Sequence, residues 1–322
     1  MPRKTYIKAI QEALHEEMAR DASVLLIGED VRLGVFAGTR GLHAAFGDGR
    51  VIDTPISELA VAGAGVGAAA TGLRPVVDLM FGTFLYLAFD QIVNQAGAMR
   101  YMFGGQAKLP IVYMTQNGAG SSAGHHHSQA VHQFFMNMPL IKVVLPSTPY
   151  DVKGLLKAAI RDDNPVVFLN SLALGGKRGE VPDEEYLIPL GSADIKRTGT
   201  DVTLCTVGAP VYTCLEAAAE LEKQGISAEV IDLRTLSPWD ADCVLASVEK
   251  TGRFVAVDES FPTCSAASEW AATVAERAFR HLKAPVQRVN NENVPIPFSP
   301  KLEKAVLPTV EKVIAAVKRT LS

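Results

Sequence analysis

The chain has 322 residues, of which 48% are hydrophobic and 20% charged, and its net charge is -4. That composition supports two domains with full cores, and the interspersed charges exclude the basic surface of a nucleic-acid or membrane-surface binder. The longest uncharged run, Leu59–Leu73, is too short for a bilayer span, which takes about 20 apolar residues. The N-terminal MPRKTYIKAIQEAL lacks the apolar core of a signal peptide. Cys205, Cys214, Cys243 and Cys264 show neither metal nor redox spacing, so a cytoplasmic protein with reduced thiols is expected.

In chain order, Thr5–Ala19 places Ile7, Ile10, Leu14 and Met18 at helical spacing. Ser23–Ile27 reads as a buried strand with Gly28-Glu29-Asp30 as its exit loop. Gly34–Gly49 is a Gly-rich region around a short helix, Gly41–Phe46. Its Gly47-Asp48-Gly49 is read as a turn. A Mg²⁺–diphosphate motif of this type needs an apolar strand before it and an Asn much nearer than Asn94.

Asp53-Thr54-Pro55 reads as a loop, because Pro fixes φ and biases its predecessor toward extended geometry. Ser57 is the expected N-cap, which puts Glu58 in the first turn of a helix over 58–71, where the dipole favours an acid. Gly63, Gly65 and Gly67 lie inside that helix at a cost of about 1 kcal/mol each relative to Ala, so something is expected to approach its backbone closely. The run Gly63–Ala68 fits a Gly-x-Gly-x-x-Ala dinucleotide fingerprint, but no strand leads into it, and close helix packing is the better reading.

Strands are expected at Pro75–Met80, Pro110–Met114, Ile141–Leu145 and Val166–Leu169, with helices at Leu85–Tyr101 and Tyr150–Arg161. This alternation predicts a parallel sheet covered on both faces. The charged, turn-rich stretch after Leu174 interrupts it. Strands at Val202–Val207, Ser227–Asp232 and Phe254–Asp258 then alternate with helices at Pro210–Gln224, Asp240–Lys250, Ser265–Phe279 and Val310–Thr320. The expected fold class is α/β, with two parallel-sheet three-layer domains over residues 1–175 and 199–322 joined by a linker over 176–198.

Two further clusters carry polar chemistry. The Gly-rich segment after Asn117 leads into His125-His126-His127. Consecutive helical residues do not share a face and zinc ligands are usually spaced, so a loop presenting one neutral imidazole to a pocket is expected rather than a metal site, with a purely structural histidine as the alternative. Ala159–Asn164 is a helix C-terminus whose open carbonyls, next to Asp162, suit either a hard monovalent cation or plain solvation.

These segments resemble the β subunit of the thiamine-diphosphate-dependent decarboxylating component of 2-oxo acid dehydrogenase complexes, a group with pyruvate, branched-chain and acetoin members. The resemblance rests on Gly28-Glu-Asp, Asp53-Thr-Pro-Ile-Ser-Glu58, Gly72-Leu-Arg-Pro, Phe89-Asp-Gln-Ile, Arg100-Tyr-Met-x-Gly-Gly, His127-Ser-Gln, Pro146-Ser-Thr-Pro-Tyr-Asp, Ala159-Ile-Arg-Asp-Asp-Asn-Pro and Val230-Ile-Asp-Leu-Arg-Thr. It implies a pyrimidine-binding domain followed by a transketolase C-terminal-like domain. It also implies an α2β2 heterotetramer in which the α subunit holds Mg²⁺ and the diphosphate, and a lipoyl-bearing acyltransferase core as a further partner.

By the same resemblance Glu58 bonds the pyrimidine ring nitrogen, Phe84 packs on that ring, and His127 serves substrate and lipoyl group. Ile111, Ala159, Ile160, Asp162 and Asn164 match a potassium site. The glycines of the 58–71 helix become the wall of a subunit interface. Asn170 stands where relatives usually carry Glu, and His125-His126 where they carry small residues or Gln, which leaves the substrate open. The stretches at Arg100 and Gly179 are most similar to the acetoin branch. The alternatives are acetoin dehydrogenase specifically, or a β-like subunit with a carboligation or scaffold role.

Overall fold

The computed structural model describes residues 1–322 and divides into two compact units. One comprises Met1–Asn117 and Phe134–Leu190, the other Gly118–Gln133 and Gly191–Ser322.

In the first unit the strands run in the order Lys142–Val144, Val166–Ser171, Val112–Asn117, Arg74–Phe81, Val24–Gly28 and Val51–Asp53, each parallel to its neighbour. Val166–Ser171 is buried at every position, as a strand covered on both faces must be. Helix Tyr6–Arg20 buries Tyr6, Ile10, Leu14 and Met18, and Thr5 caps it by accepting from the Lys8 N–H. It packs along helix Pro149–Arg161. Lys153 and Lys157 are buried there and pair with Glu16, while Arg161 pairs with the buried Glu17.

Helix Glu58–Ala70 packs on strand Arg74–Phe81. A Cβ on Gly65 would lie 2.6 Å from Val77 Cγ2 and 2.8 Å from Ile111 Cδ1. The close approach expected of this helix is therefore made at Gly65 by the chain's own sheet. Gly67 has open space around it. Ser57 sits at the N-cap with φ -171 and ψ 74, but its side chain accepts no bond from the helix, contrary to expectation. The helix expected over Leu85–Tyr101 is a 3₁₀ turn at Gly82–Tyr86, a π-helical stretch at Gln91–Gly97 and a short α segment at Ala98–Met102.

The second unit's sheet runs Gln287–Val289, Phe254–Val257, Val202–Thr206, Ala228–Asp232 and Asp194–Arg197. Its first four strands are parallel, and Asp194–Arg197, from within the expected linker, closes the edge antiparallel. Leu204, Val230 and Val255 of the central strands pack with Ala217 and Leu221 of helix Pro210–Glu222 and with Val313 and Val317 of helix Val310–Arg319. The other end of the linker, Arg178–Glu180, pairs antiparallel with Arg3–Thr5 in the first unit. No helix is long and apolar enough to cross a membrane.

Candidate cofactor pocket and histidine loop

Ligands of open α/β sheets bind outside the carboxyl ends of the strands. Here the exits of Val24–Gly28, Val51–Asp53 and Arg74–Phe81 deliver Glu29, Thr54, Asp78 and Met80 to one pocket with Glu58 and Phe84. The Thr54 N–H donates to the Gly28 carbonyl at 3.0 Å, which sets the turn that leads to Glu58. The Met80 N–H donates to Asp78 Oδ1 at 3.0 Å, with Met80 held at φ 57. Phe84 is braced edge-on by Phe81 at 5.6 Å, and Phe81 by Phe36 at 5.2 Å.

Three carboxyls share this pocket. Burial pushes Asp78 up to about 6, against the pull of the Met80 N–H. Although Asp78 keeps some exposed surface, its carboxyl is enclosed. Burial also raises Glu29, with the charges of Asp30 and Glu58 adding to it. Thr54 Oγ1 is buried without a hydrogen-bond partner. A carboxylate, an aromatic face and an unmatched buried hydroxyl fit a flat, nitrogen-bearing ring. Glu58 and Phe84 were legible as candidates, whereas the pocket roles of Glu29, Thr54 and Asp78 were not.

The histidine segment lies in the second unit. His125–Ser128 forms one short helical turn after Gly124. His125 Nδ1 accepts from the Ile296 N–H at 3.2 Å, and its ring lies 6.3 Å from that of Phe261. Burial and the neighbouring His126 lower its pKa. His126 is exposed and His127 half-buried, with the His127 N–H donating to the Gly124 carbonyl at 3.2 Å. No three His, Cys, Asp or Glu side chains converge as a metal-ligating group.

The expected cation residues cluster after helix Pro149–Arg161. Arg74 Nη1 donates to the carbonyls of both Ile160 and Asp162 at 3.1 Å. The Ala159 carbonyl accepts from the Asp162 N–H at 3.2 Å, and the Ile111 carbonyl from the Val166 N–H at 2.9 Å. The Asp162 carboxylate bonds Lys142 and the Asn164 N–H, and Asn164 Oδ1 accepts from Arg100 at 2.9 Å. Positive charge at two of these carbonyls is thus already supplied by Arg74, while each carbonyl retains a second lone pair. Asp48 of the Gly-Asp-Gly turn is exposed and pairs with His43 at 2.8 Å and Arg32 at 3.1 Å.

Two α/β units, the first with a carboxylate-lined pocket at its strand ends, have the make-up of a transketolase-type chain, and the family matches show that class. Residues 3–175 match the transketolase pyrimidine binding domain and residues 191–313 the transketolase C-terminal domain. The chain is 49% identical to the acetoin:2,6-dichlorophenolindophenol oxidoreductase subunit beta of Cupriavidus necator, over 100% of this chain and 98% of that one. It is 46% identical to the pyruvate dehydrogenase E1 component subunit beta of Rhizobium meliloti, over 99% of this chain and 70% of that one. Its fold matches a split gene transketolase, an inactive beta4 tetramer, with a TM-score of 0.80 at 24% identity over 98% and 97% of the two chains. The chain belongs to the family of dehydrogenase β subunits that includes the acetoin, pyruvate and 2-oxoisovalerate enzymes.

Proposed function

We propose that this chain is the β subunit of a thiamine-diphosphate-dependent 2-oxo acid or acetoin dehydrogenase, an oxidoreductase active only with an α subunit in an α2β2 heterotetramer. The observation that carries the proposal is the pocket joining Glu58, Phe84 and the unpartnered Thr54 hydroxyl, in a chain of this family. The α subunit is assigned the diphosphate and Mg²⁺, because the chain's own Gly-Asp-Gly turn has its acid paired with His43 and Arg32.

Bound thiamine diphosphate supplies the carbanion-stabilising chemistry for cleavage beside an oxo group. Glu58 would hold the pyrimidine ring by a hydrogen bond to its ring nitrogen and share a proton with it there. Phe84, which lines the same pocket, would pack on that ring and exclude water from it. Burial raises the pKa of the neighbouring Asp78 and Glu29, while Glu58 sits in the first turn of its helix at the same pocket. His127 moves a proton or steadies charge at the substrate oxygen while the acyl unit passes to a lipoyl disulfide on the acyltransferase core.

Among the substrates of the family, acetoin is favoured by the 49% identity to an acetoin-enzyme β subunit. The carbonyls of Ile111, Ala159, Ile160 and Asp162, with Asn164, are assigned to potassium through their second lone pairs. Equal melting temperatures in KCl and NaCl would remove that assignment. All four cysteines are free, which supports a reducing, cytoplasmic setting.

The test is co-expression with the α chain and turnover of pyruvate, 2-oxobutyrate, branched-chain 2-oxo acids and acetoin with an artificial electron acceptor. Cofactor-dependent turnover of one of these by the complex, and none by the chain alone, is expected. Tight thiamine diphosphate binding by the isolated chain contradicts the shared-site reading.

A further inference from the structure

The histidine loop is held by two acids that the reaction scheme does not use. Gly118, Gly120, Ser122 and Gly124 adopt φ of 85, 114, 54 and 75, so the loop has little regular structure of its own. Its backbone N–H groups turn instead to the carboxyl oxygens of two glutamates in the same unit. The Ala119 N–H donates to Glu259 Oε1 at 2.5 Å. A Cβ on Gly118 would lie 2.6 Å from that same oxygen, so only glycine lets the carboxylate come so near. The Gly120 N–H donates to Glu303 Oε1 at 3.2 Å, and the Ser122 N–H to its two oxygens at 3.1 and 3.2 Å. The Ser122 hydroxyl adds a bond to Glu303 Oε2 at 3.2 Å.

Glu303 is 5% exposed, on the short helix Pro300–Val306. Ala119 packs with Ile296 and Val306 in an apolar cluster beneath the loop. Beyond the histidines, His132 bonds the buried Asp258 at 2.9 Å. A carboxylate that accepts from two backbone N–H groups and a hydroxyl, as Glu303 does, is among the strong, geometry-fixing interactions of proteins, while Glu259 adds one acceptor oxygen at Ala119.

We propose that Glu259 and Glu303 are positioning residues, which fix loop 118–124 and through it the placement of His127. The inference rests on the role of His127 given above. Neither acid touches the reacting atoms. Their work is geometric, and a displacement of about 1 Å costs on the order of a hundredfold in rate.

The experiment uses the full chain in complex with its α subunit, with acetoin and lipoamide as probes. Glu303→Ala, Glu303→Gln, Glu259→Ala and His127→Ala are compared. Two readouts are taken, steady-state kinetics and amide hydrogen exchange over residues 118–128. Glu303→Ala is expected to lower kcat by about tenfold to a hundredfold, with the KM for thiamine diphosphate unchanged. Faster exchange at Gly120 and Ser122 should accompany that loss. Glu303→Gln keeps an acceptor oxygen and should recover part of both.

If Glu303→Ala leaves exchange unaltered, or loosens the loop while kcat holds and His127→Ala is inactive, the positioning role is overturned. Normal turnover in His127→Ala overturns the His127 reading, and the catalytic meaning of the clamp with it. Should Glu303→Ala not fold, Glu259→Ala, which removes the acceptor at Ala119, and Glu303→Gln, which loses one acceptor oxygen at Ser122, carry the same comparison.

Discussion

His132 Nε2 lies 2.9 Å from Asp258 Oδ1, with the two side chains 1% and 0% exposed. An ionised carboxylate can only accept, so Nε2 carries the proton. Burial pushes the Asp258 pKa up, but the His132 contact and the Ser260 and Ala267 donors outweigh it and hold the pKa below the usual value. The pair anchors the far end of the histidine loop to the end of strand Phe254–Val257.

His132→Ala leaves that buried carboxylate short of its principal partner. A loss of about 3 kcal/mol is expected in urea denaturation of the chain. Because the folded pKa of Asp258 is depressed, its contribution is full above the unfolded value and disappears as pH falls through the folded one. The wild-type advantage over His132→Ala should therefore shrink below about pH 4. An equal difference at pH 7 and pH 3 contradicts this.

Glu259 behaves in the opposite sense. Burial first, and the charges of Asp258 and Glu303 after it, push its pKa up to about 8 despite the Ala119 N–H. Between the ordinary glutamate value and about 8 the folded state binds the extra proton. Stability then falls as pH rises, by at most about 1.4 kcal/mol per pH unit. Glu259→Gln should abolish that slope and be the more stable form at pH 8.5. Parallel stability curves for the two proteins from pH 5.5 to 8.5 exclude the assignment.

The glycines of helix Glu58–Ala70 separate by surroundings. Gly67→Ala adds a methyl in open space and should raise stability by about 1 kcal/mol. Gly65→Ala drives a methyl into Val77 and Ile111 and should lower it by about 1–3 kcal/mol. Thermal melts of the two variants check the contrast, and a gain at Gly65 speaks against the close packing described.

The sequence revealed the long buried strands because each carries its own signal, as Val166–Ser171 does at every position. Edge strands such as Val51–Asp53 and Gln287–Val289 are 3 residues long and too short for periodicity to register. Glu58 stood out because it follows a Pro turn and opens an uncharged helix. Asp78 looked like an ordinary strand end until the pocket formed around it. Glu259 and Glu303 left no local trace, since the N–H groups they hold lie 140 and more than 180 residues away in sequence. Ser57 misled, because it holds the N-cap position at φ -171 and ψ 74 without its hydroxyl making a cap bond.

Glu58 carries the central claim. The decisive measurement is turnover of the α/β complex at saturating thiamine diphosphate, wild type against Glu58→Gln, with melting temperatures recorded alongside. A first-turn acid contributes only about 0.3–1 kcal/mol through the helix dipole, so melting should scarcely move. Turnover should fall by about a hundredfold or more, the usual weight of a proton-transfer group. Undiminished turnover in Glu58→Gln would contradict the assignment of this pocket to the cofactor ring.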